Sequence, residues 1–96
     1  INEEAQAELA AETAPTVLKE FRQRIENVDV FEATEIQKTI KSIQKDTKIK
    51  GRQLYMPIRI AVSHEMHGPE LPETIELLGR ETTIKHLDAM IAELAK

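Results

Sequence analysis

The stretch GRQLYMPIRIAVSHEMHGPELPETIELLGR, residues 51–80, decides how this chain of 96 residues folds. Apolar residues recur in it at helical spacing from Leu54 to Val62 and predict one buried helix face. Gly68-Pro69 interrupts the pattern, so a helix must end before it and a new helix must begin near Pro72. The turn lies close to Arg59, which falls off the apolar stripe, and such a turn can hold a ligand.

A β-strand is the alternative structure for Tyr55–Val62, because this run alternates and is rich in β-branched residues. No other segment of the sequence offers a second strand to pair with it, and an isolated strand is not stable. We therefore predict a helix here. We also expect Pro57 to lie in the first turn of that helix, where the missing N–H of proline is tolerated.

The sequence before this stretch also follows helical spacing. Residues 2–27 carry a helical pattern that Pro15 interrupts. Pro15 either kinks one helix or lies in the first turn of a second, and we expect the second arrangement, with Thr13 as the candidate cap. Residues 1–14 would then form a connecting helix from a preceding part of a longer polypeptide. The chain begins with Ile1 instead of methionine, which agrees with that expectation.

The remaining helices follow from stripes of isoleucine and leucine. Residues 34–47 carry an isoleucine stripe and open with Thr34-Glu35-Ile36-Gln37, which has the form of a capping box. A short helix is predicted from Pro72 to Leu78, with Gly79 as its left-handed cap, and a longer one ends near Leu94. The sequence thus predicts an all-α fold, a compact bundle of about five short helices in a single domain over residues 1–96.

Composition excludes several kinds of function. The chain contains no cysteine, which rules out disulfides, thiolate catalysis and sulfur-ligated zinc sites, and which suits a reducing cytoplasm. No apolar run is long enough to span a membrane, so no membrane partner is expected. The aromatic residues are Phe21, Phe31 and Tyr55, so the core must be mainly aliphatic.

The net charge of −4 hides an uneven distribution. Residues 1–35 contain nine acidic and three basic residues, and residues 60–96 contain seven and three. Residues 38–59 contain seven basic residues and one acid, Asp46. A basic middle between acidic flanks indicates a local anion-binding face. Its lysines step by three and four residues and so share one helix face, and the open alternative is that they are only a solvated side.

The histidines near the turn invite a metal-site interpretation, which their spacing does not support. His64 and His67 are three residues apart and precede Gly-Pro, whereas zinc proteases place two histidines four residues apart in one helix. No Ser-His-acid arrangement, paired carboxylates or phosphate-binding glycine loop is present. We expect no catalytic residue and no metal site in this chain, and a hydrogen-bonding role in the turn for His67.

Arg59 has two interpretations at this stage. It is either an exposed or helix-capping arginine, or a ligand-binding residue beside the basic face. Arginine binds phosphates and stacks on unpaired bases, which suits a single-stranded RNA loop. Gly68-Pro69 is a helix–helix turn in either case; in the second, it would let backbone groups approach a base edge, and Leu71 would offer an apolar surface.

Three segments, KGRQLYMPIR (50–59), HGPEL (67–71) and IELLGR (75–80), closely resemble the C-terminal end of bacterial glutamyl-tRNA synthetases. The resemblance covers most of the chain and implies the helical anticodon-binding domain of a class I aminoacyl-tRNA synthetase. Such an enzyme joins glutamate to its tRNA with ATP and magnesium, in a catalytic domain absent from this sequence, so no cofactor is expected in this fragment. The implied enzyme is cytoplasmic and monomeric, with the tRNA(Glu) anticodon stem-loop and its own catalytic domain as partners.

The resemblance also assigns roles to positions that match the motifs of the family. It implies that the anticodon loop faces Arg59, His67, Gly68, Pro69 and Leu71. From the charge pattern we expect the anticodon-stem phosphates to contact Lys41, Lys45, Lys48, Lys50 and Arg52. Many relatives have glycine at the position of His64, which predicts a left-handed backbone there. The alternatives are a helical protein–protein interaction module without an RNA role, and a structural spacer.

Overall fold

The computed structural model describes residues 3, 7, 9–64 and 68–96, and these residues form five helices joined by short connections. In chain order they are α1 (Ala14–Ile25), α2 (Ala33–Thr47), α3 (Arg52–Ser63), α4 (Leu71–Leu78) and α5 (Arg80–Leu94). No strand occurs within these ranges, so the all-α prediction is confirmed and the strand alternative for Tyr55–Val62 is wrong.

An aliphatic core built around Phe21 holds the helices together. α1 packs against α2, α3 and α5, and α2 also packs against α4. Fully burying one large apolar side chain contributes roughly 1.5–3 kcal/mol, so the apolar stripes decide which face each helix turns inward. The fully buried large side chains include Leu18, Phe21, Ile25, Ile36, Ile40, Ile43, Leu54, Ile58, Ile75 and Leu87.

α1 begins where the sequence predicts, but the predicted capping hydrogen bond is not made. Pro15 lies in the first turn, as expected. The Thr13 hydroxyl makes no capping hydrogen bond and is buried without a partner among the described residues. Thr13 is the N-cap residue by position, as predicted, but its hydroxyl does not cap because Thr13 has helical backbone angles, not the extended ones that aim a capping hydroxyl. The predicted connecting helix, 1–14, is described only at residues 3, 7 and 9–14; residues 3, 7 and 9 are helical, and Leu9 is buried.

The N-terminus of α2 is capped by a side chain from another helix. The Ala33 N–H donates a hydrogen bond to Oε1 of Glu76, in α4, at 2.7 Å. A carboxylate at this end of a helix also interacts favourably with the helix dipole. The predicted capping box is wrong, because Thr34 already lies inside the helix and the Gln37 side chain bonds to Tyr55 instead.

α3 begins earlier than the sequence predicts. Its first residue is Arg52, so Pro57 lies in the helix interior and not in the first turn. An interior proline removes one helix hydrogen bond and costs about 3 kcal/mol. Pro57 is buried beside Leu54 and Ile58, so core packing offsets part of that cost. The early start gives α3 enough length to carry Tyr55, Met56 and Arg59 on a single helical element.

The ends of α3 and α4 place the turn between them. His64 follows α3 with φ 61° and ψ 20°, which confirms the predicted left-handed backbone. The His86 Nδ1 atom lies 2.9 Å from the Val62 carbonyl oxygen, which has no partner within the helix, and the rings of His64 and His86 stack with centroids 5.7 Å apart. Gly79 ends α4 as expected, but with φ 85° and ψ 161° it is not in the left-handed helical conformation.

Candidate nucleic-acid interface

A groove of about 510 Å³ lies where α2, α3 and the turn before α4 meet. Tyr55 and Met56 lie four and three residues before Arg59, so each of them is next to Arg59 on the surface of α3. Among the predicted anticodon residues, Arg59, Gly68 and Leu71 are brought together here. The described residues that line the groove are Gln37, Tyr55, Met56, Arg59, Gly68, Glu70, Leu71 and Pro72.

Arg59 connects α3 to the turn. Its Nη2 atom donates a hydrogen bond to the carbonyl oxygen of Pro69 at 2.9 Å. The bond holds the guanidinium plane in place, and since a guanidinium carries five N–H donors, most of them remain for a ligand. Pro69, another predicted anticodon residue, is thus joined to Arg59 through its backbone and is itself exposed.

Gly68 passes close to the same guanidinium. A Cβ atom added to Gly68 would lie 3.4 Å from Nη1 of Arg59. The φ of Gly68 is 155°, a conformation that residues with a side chain rarely adopt. The backbone conformation, and not a lack of space, is therefore what favours glycine at this position, since a Cβ atom would only make ordinary contact with Arg59.

The other lining groups are partly apolar and partly polar. Leu71 is the first residue of α4 and only 3% exposed, so its apolar contribution to the groove is small. Gln37 donates a hydrogen bond through Nε2 to the Tyr55 hydroxyl oxygen at 3.0 Å, which links α2 to α3. Glu70, which precedes α4, adds an exposed carboxylate. The groove therefore offers apolar surface together with hydrogen-bond donors and acceptors.

The predicted phosphate-binding residues continue from the groove along α2. Lys41, Lys45 and Lys48 follow Gln37 at steps of four, four and three residues, so they extend one helix face. At 1.5 Å per residue this line is about 16 Å long from Gln37 to Lys48. All five predicted residues are exposed: Lys41, Lys45, Lys48, Lys50 and Arg52.

Asp46, the one acidic residue of the basic segment 38–59, pairs with an arginine of α1 and not with the lysines of the segment. Asp46 accepts a hydrogen bond from Nη2 of Arg24, in α1, at 2.8 Å. Burial lowers the pKa of Arg24, but hydrogen bonds to Glu20 and Asp46 outweigh it and raise that pKa above its usual value. Within the described ranges no ion pair involves the cations that we call the lysine line: Lys41, Lys45, Lys48 and Lys50.

Sequence reasoning missed five groove residues: Gln37, Tyr55, Met56, Glu70 and Pro72. Helical spacing in the sequence could have found three of them, because Gln37 lies four residues before Lys41, and Tyr55 and Met56 lie four and three residues before Arg59. The contact between α2 and α3, by contrast, is visible only in three dimensions. The predicted residue His67 lies outside the described residues.

The described part of the chain offers no other evident chemistry. It contains no group of three or more His, Asp or Glu side chains that could hold a metal ion. None of its helices is long and apolar enough to cross a membrane. The groove and the lysine line are therefore the features of the described residues that can bind a ligand.

A family model described as "Anticodon binding domain" matches residues 1–91. The chain therefore belongs to the anticodon-binding domain family. Over 96 residues it is 88% identical to a protein named glutamate–tRNA ligase from Lactiplantibacillus plantarum, and over 94 residues it is 61% identical to one from Ligilactobacillus salivarius. These matches cover 100% and 98% of the chain but only 19% of either relative.

A solved structure has the same fold. The crystal structure of a glutamate tRNA ligase from Elizabethkingia meningosepticum, in complex with its amino acid, superposes with a TM-score of 0.88 at 24% sequence identity. The match covers 98% of this chain and 18% of the other. At this level of identity the likeness establishes the helical architecture.

Proposed function

We propose that this chain recognises the anticodon loop of tRNA(Glu) as part of a glutamate–tRNA ligase. It would position the tRNA for charging by a catalytic domain in another part of the same polypeptide. The observation that carries the proposal is that Arg59 and the turn from Gly68 to Leu71 meet in a groove beside uncompensated lysines. Membership of the anticodon-binding domain family and the names of the relatives support it.

The lysine line supplies the electrostatic part of binding. Lysines that neutralise RNA phosphates release condensed counterions, and this release gives affinity that depends on salt and not on sequence. The line is exposed and lacks counter-charges among the described residues, so it is free to make such contacts. These contacts would hold the backbone of the stem-loop and set its register over the groove.

The groove suits an unpaired base better than a phosphate. The carboxylate of Glu70 would repel a phosphate, and one N–H of Arg59 is already used by the Pro69 carbonyl. A flat, neutral base matches a site that offers apolar surface together with donors and acceptors. Arg59 can stack on the base or donate to its edge, while Gly68 allows backbone groups to come close.

The chemistry of the ligase belongs to the remainder of the polypeptide. We assign ATP and magnesium to the catalytic part of the longer enzyme, and no residue of this chain to either. We place the enzyme in the cytoplasm and expect it to act as a monomer. The contribution of this chain is then recognition of RNA and not catalysis.

The test is an NMR titration of the 96-residue chain with a tRNA(Glu) anticodon stem-loop and, in parallel, with a scrambled-loop control. We expect shifts at Arg59 and Gly68–Leu71 that are larger with the true loop. Equal shifts confined to the lysine line would show that the chain provides only electrostatic binding. The absence of shifts at low salt would contradict the proposal.

The alternative is a helical protein–protein interaction module, which would need an exposed apolar surface. Among the described residues, the large hydrophobic side chains that are exposed are Val30 and Leu77. Neither of them lines the groove. The exposed surface next to the groove is basic instead, which favours an anionic partner.

A further inference from the structure

Gln37 and Tyr55 form a polar pair in the groove that has no role in the recognition described above. We propose that this pair determines which base the groove accepts, by hydrogen bonding to the edge of an unpaired anticodon-loop base. The inference rests on the proposed function and adds two specificity-determining residues to it.

The pair has unused hydrogen-bonding capacity. Gln37 Nε2 donates to the Tyr55 hydroxyl oxygen at 3.0 Å, so the phenol hydrogen is left to donate elsewhere. The amide of Gln37 keeps its carbonyl oxygen as an acceptor and one further N–H as a donor. Both side chains line the groove and are only partly buried, so these groups can be reached by a ligand in the groove.

The position of the pair relative to Arg59 allows one ligand to touch both. Tyr55 and Arg59 are four residues apart on the same face of α3, which corresponds to about 6 Å along the helix axis. Gln37 reaches Tyr55 from α2, so two helices contribute to this part of the groove. A base held by Arg59 and the turn would present one edge to the pair.

The bond between Gln37 and Tyr55 also orients both groups before a ligand arrives. Each side chain is fixed by the other, and each is carried by a helix whose apolar face is buried. An amide and a hydroxyl held in this way can match the donor and acceptor pattern of one base. A base with the wrong pattern would leave a desolvated donor or acceptor unpaired, which weakens its binding.

The experiment measures binding of the 96-residue chain to tRNA(Glu) anticodon stem-loops in which each loop base is replaced, one at a time, by the other three. The variants are Tyr55→Phe, which removes one oxygen atom and keeps the ring, and Gln37→Leu. We expect each variant to reduce discrimination at one loop position by roughly three- to tenfold, the effect of losing one neutral hydrogen bond. The dependence of affinity on salt should not change, because no cation is lost.

Two controls separate the possible results. Gln23→Leu replaces an exposed glutamine on α1 and should leave both affinity and discrimination unchanged. Circular dichroism melting shows whether each variant is folded, and if Gln37→Leu is not, Tyr55→Phe decides the question.

The outcomes distinguish this inference from the proposed function. If the unmodified chain does not discriminate between loops and Arg59→Ala changes nothing, the proposed function fails. If the chain discriminates and Arg59→Ala weakens binding, but Tyr55→Phe and Gln37→Leu keep full discrimination, the role of the pair is overturned. An equal loss for all loops would also overturn it, because it would mean that the pair only braces α2 against α3.

Discussion

Two sets of cations on this helical bundle differ in their surroundings: Arg22 and Arg24 of α1 have counter-charges, whereas the lysine line has none among the described residues. On the α1 side, Arg22 bonds to Glu26 in the next turn and, through Nε, to Asp88 of α5 at 2.8 Å. Arg24 bonds to Glu20 and Asp46 in the same way. Along α2, Lys41 and its neighbours in the lysine line have no such partners among the described residues. The number of basic residues therefore does not identify a binding face; the distribution of the acids does.

The paired side is also insensitive to pH under ordinary conditions. Hydrogen bonds to Asp88 and Glu26 raise the pKa of Arg22, and those to Glu20 and Asp46 raise the pKa of Arg24 against the effect of burial. For the titration of a cation with a raised pKa, the stabilisation is complete below the pKa of the unfolded state and is lost as the pH rises through the pKa of the folded state. Both arginines titrate far above neutrality, so they act as permanent structural charges.

The largest effect on RNA binding should come from removing the arginine of the groove, with removal of a paired arginine of α1 as the comparison. Arg59→Ala removes the arginine of the groove, and we expect binding of the anticodon stem-loop to weaken by about 1–3 kcal/mol, the scale of a good base contact. Arg22→Ala removes an arginine whose partners are Glu26 and Asp88, and it should leave RNA binding unchanged. Fluorescence anisotropy at fixed salt measures both. Equal losses in the two variants would mean that arginine acts through net charge alone.

A smaller effect is expected on the free energy of unfolding, where removal of a paired arginine should matter more than removal of a lysine of the lysine line. Arg24→Ala breaks hydrogen bonds to Glu20, Ser42 and Asp46, and should lower the free energy of unfolding by about 1 kcal/mol after allowance for partial exposure. Lys45→Ala removes the neighbouring unpaired cation and should change it by less than about 0.5 kcal/mol. Urea unfolding followed by circular dichroism checks the pair. A larger loss for Lys45→Ala would place a structural contact on the lysine line.

The comparison also shows how far the sequence predicts this molecule. Helical spacing identifies each helix described, because the core is built from stripes such as Ile36, Ile40 and Ile43, whose burial dominates the energy. The ends of helices are predicted less well, since they depend on contacts between elements. The Thr34 capping box fails because Glu76, which lies far along the chain, supplies the cap of α2.

Part of the candidate site can likewise be predicted from the sequence, and part of it depends on contacts between helices. Arg59 and the turn can be named from local motifs, and the lysine line from a repeat of three and four residues. Two features depend on helix packing instead: Arg24 donates a hydrogen bond to Asp46, and Gln37 donates one to Tyr55. These contacts decide which charges are free and which polar groups face the groove. Spacing along a single helix carries no information about them.

The lysine line should show its role in the salt dependence more than in the affinity at one salt concentration. Lys41→Ala and Lys45→Ala are each expected to reduce the slope of log K against log salt by roughly one, because each removes one phosphate contact. Lys85→Ala, which removes an exposed lysine of α5, is the matched control and should leave the slope unchanged. If all three variants behave alike, the lysines act as a diffuse charge and not as a line of contacts.

The smallest effect concerns Lys48, a residue that influences both the stability of the fold, through its backbone conformation, and RNA binding, through its charge. Lys48 ends α2 with φ 67° and ψ 8°, a left-handed conformation that costs a residue with a Cβ atom roughly 1–2 kcal/mol. Lys48→Gly removes that strain, but glycine loses more conformational freedom on folding, so a net gain in stability of only about 0.5 kcal/mol is expected. The same change removes a cation and should flatten the salt dependence of RNA binding slightly.

Lys48→Ala removes the cation and keeps the Cβ atom, so it should weaken binding equally without the gain in stability. If Lys48→Gly is more stable and binds as well as the unmodified chain, Lys48 is not part of the phosphate-binding line.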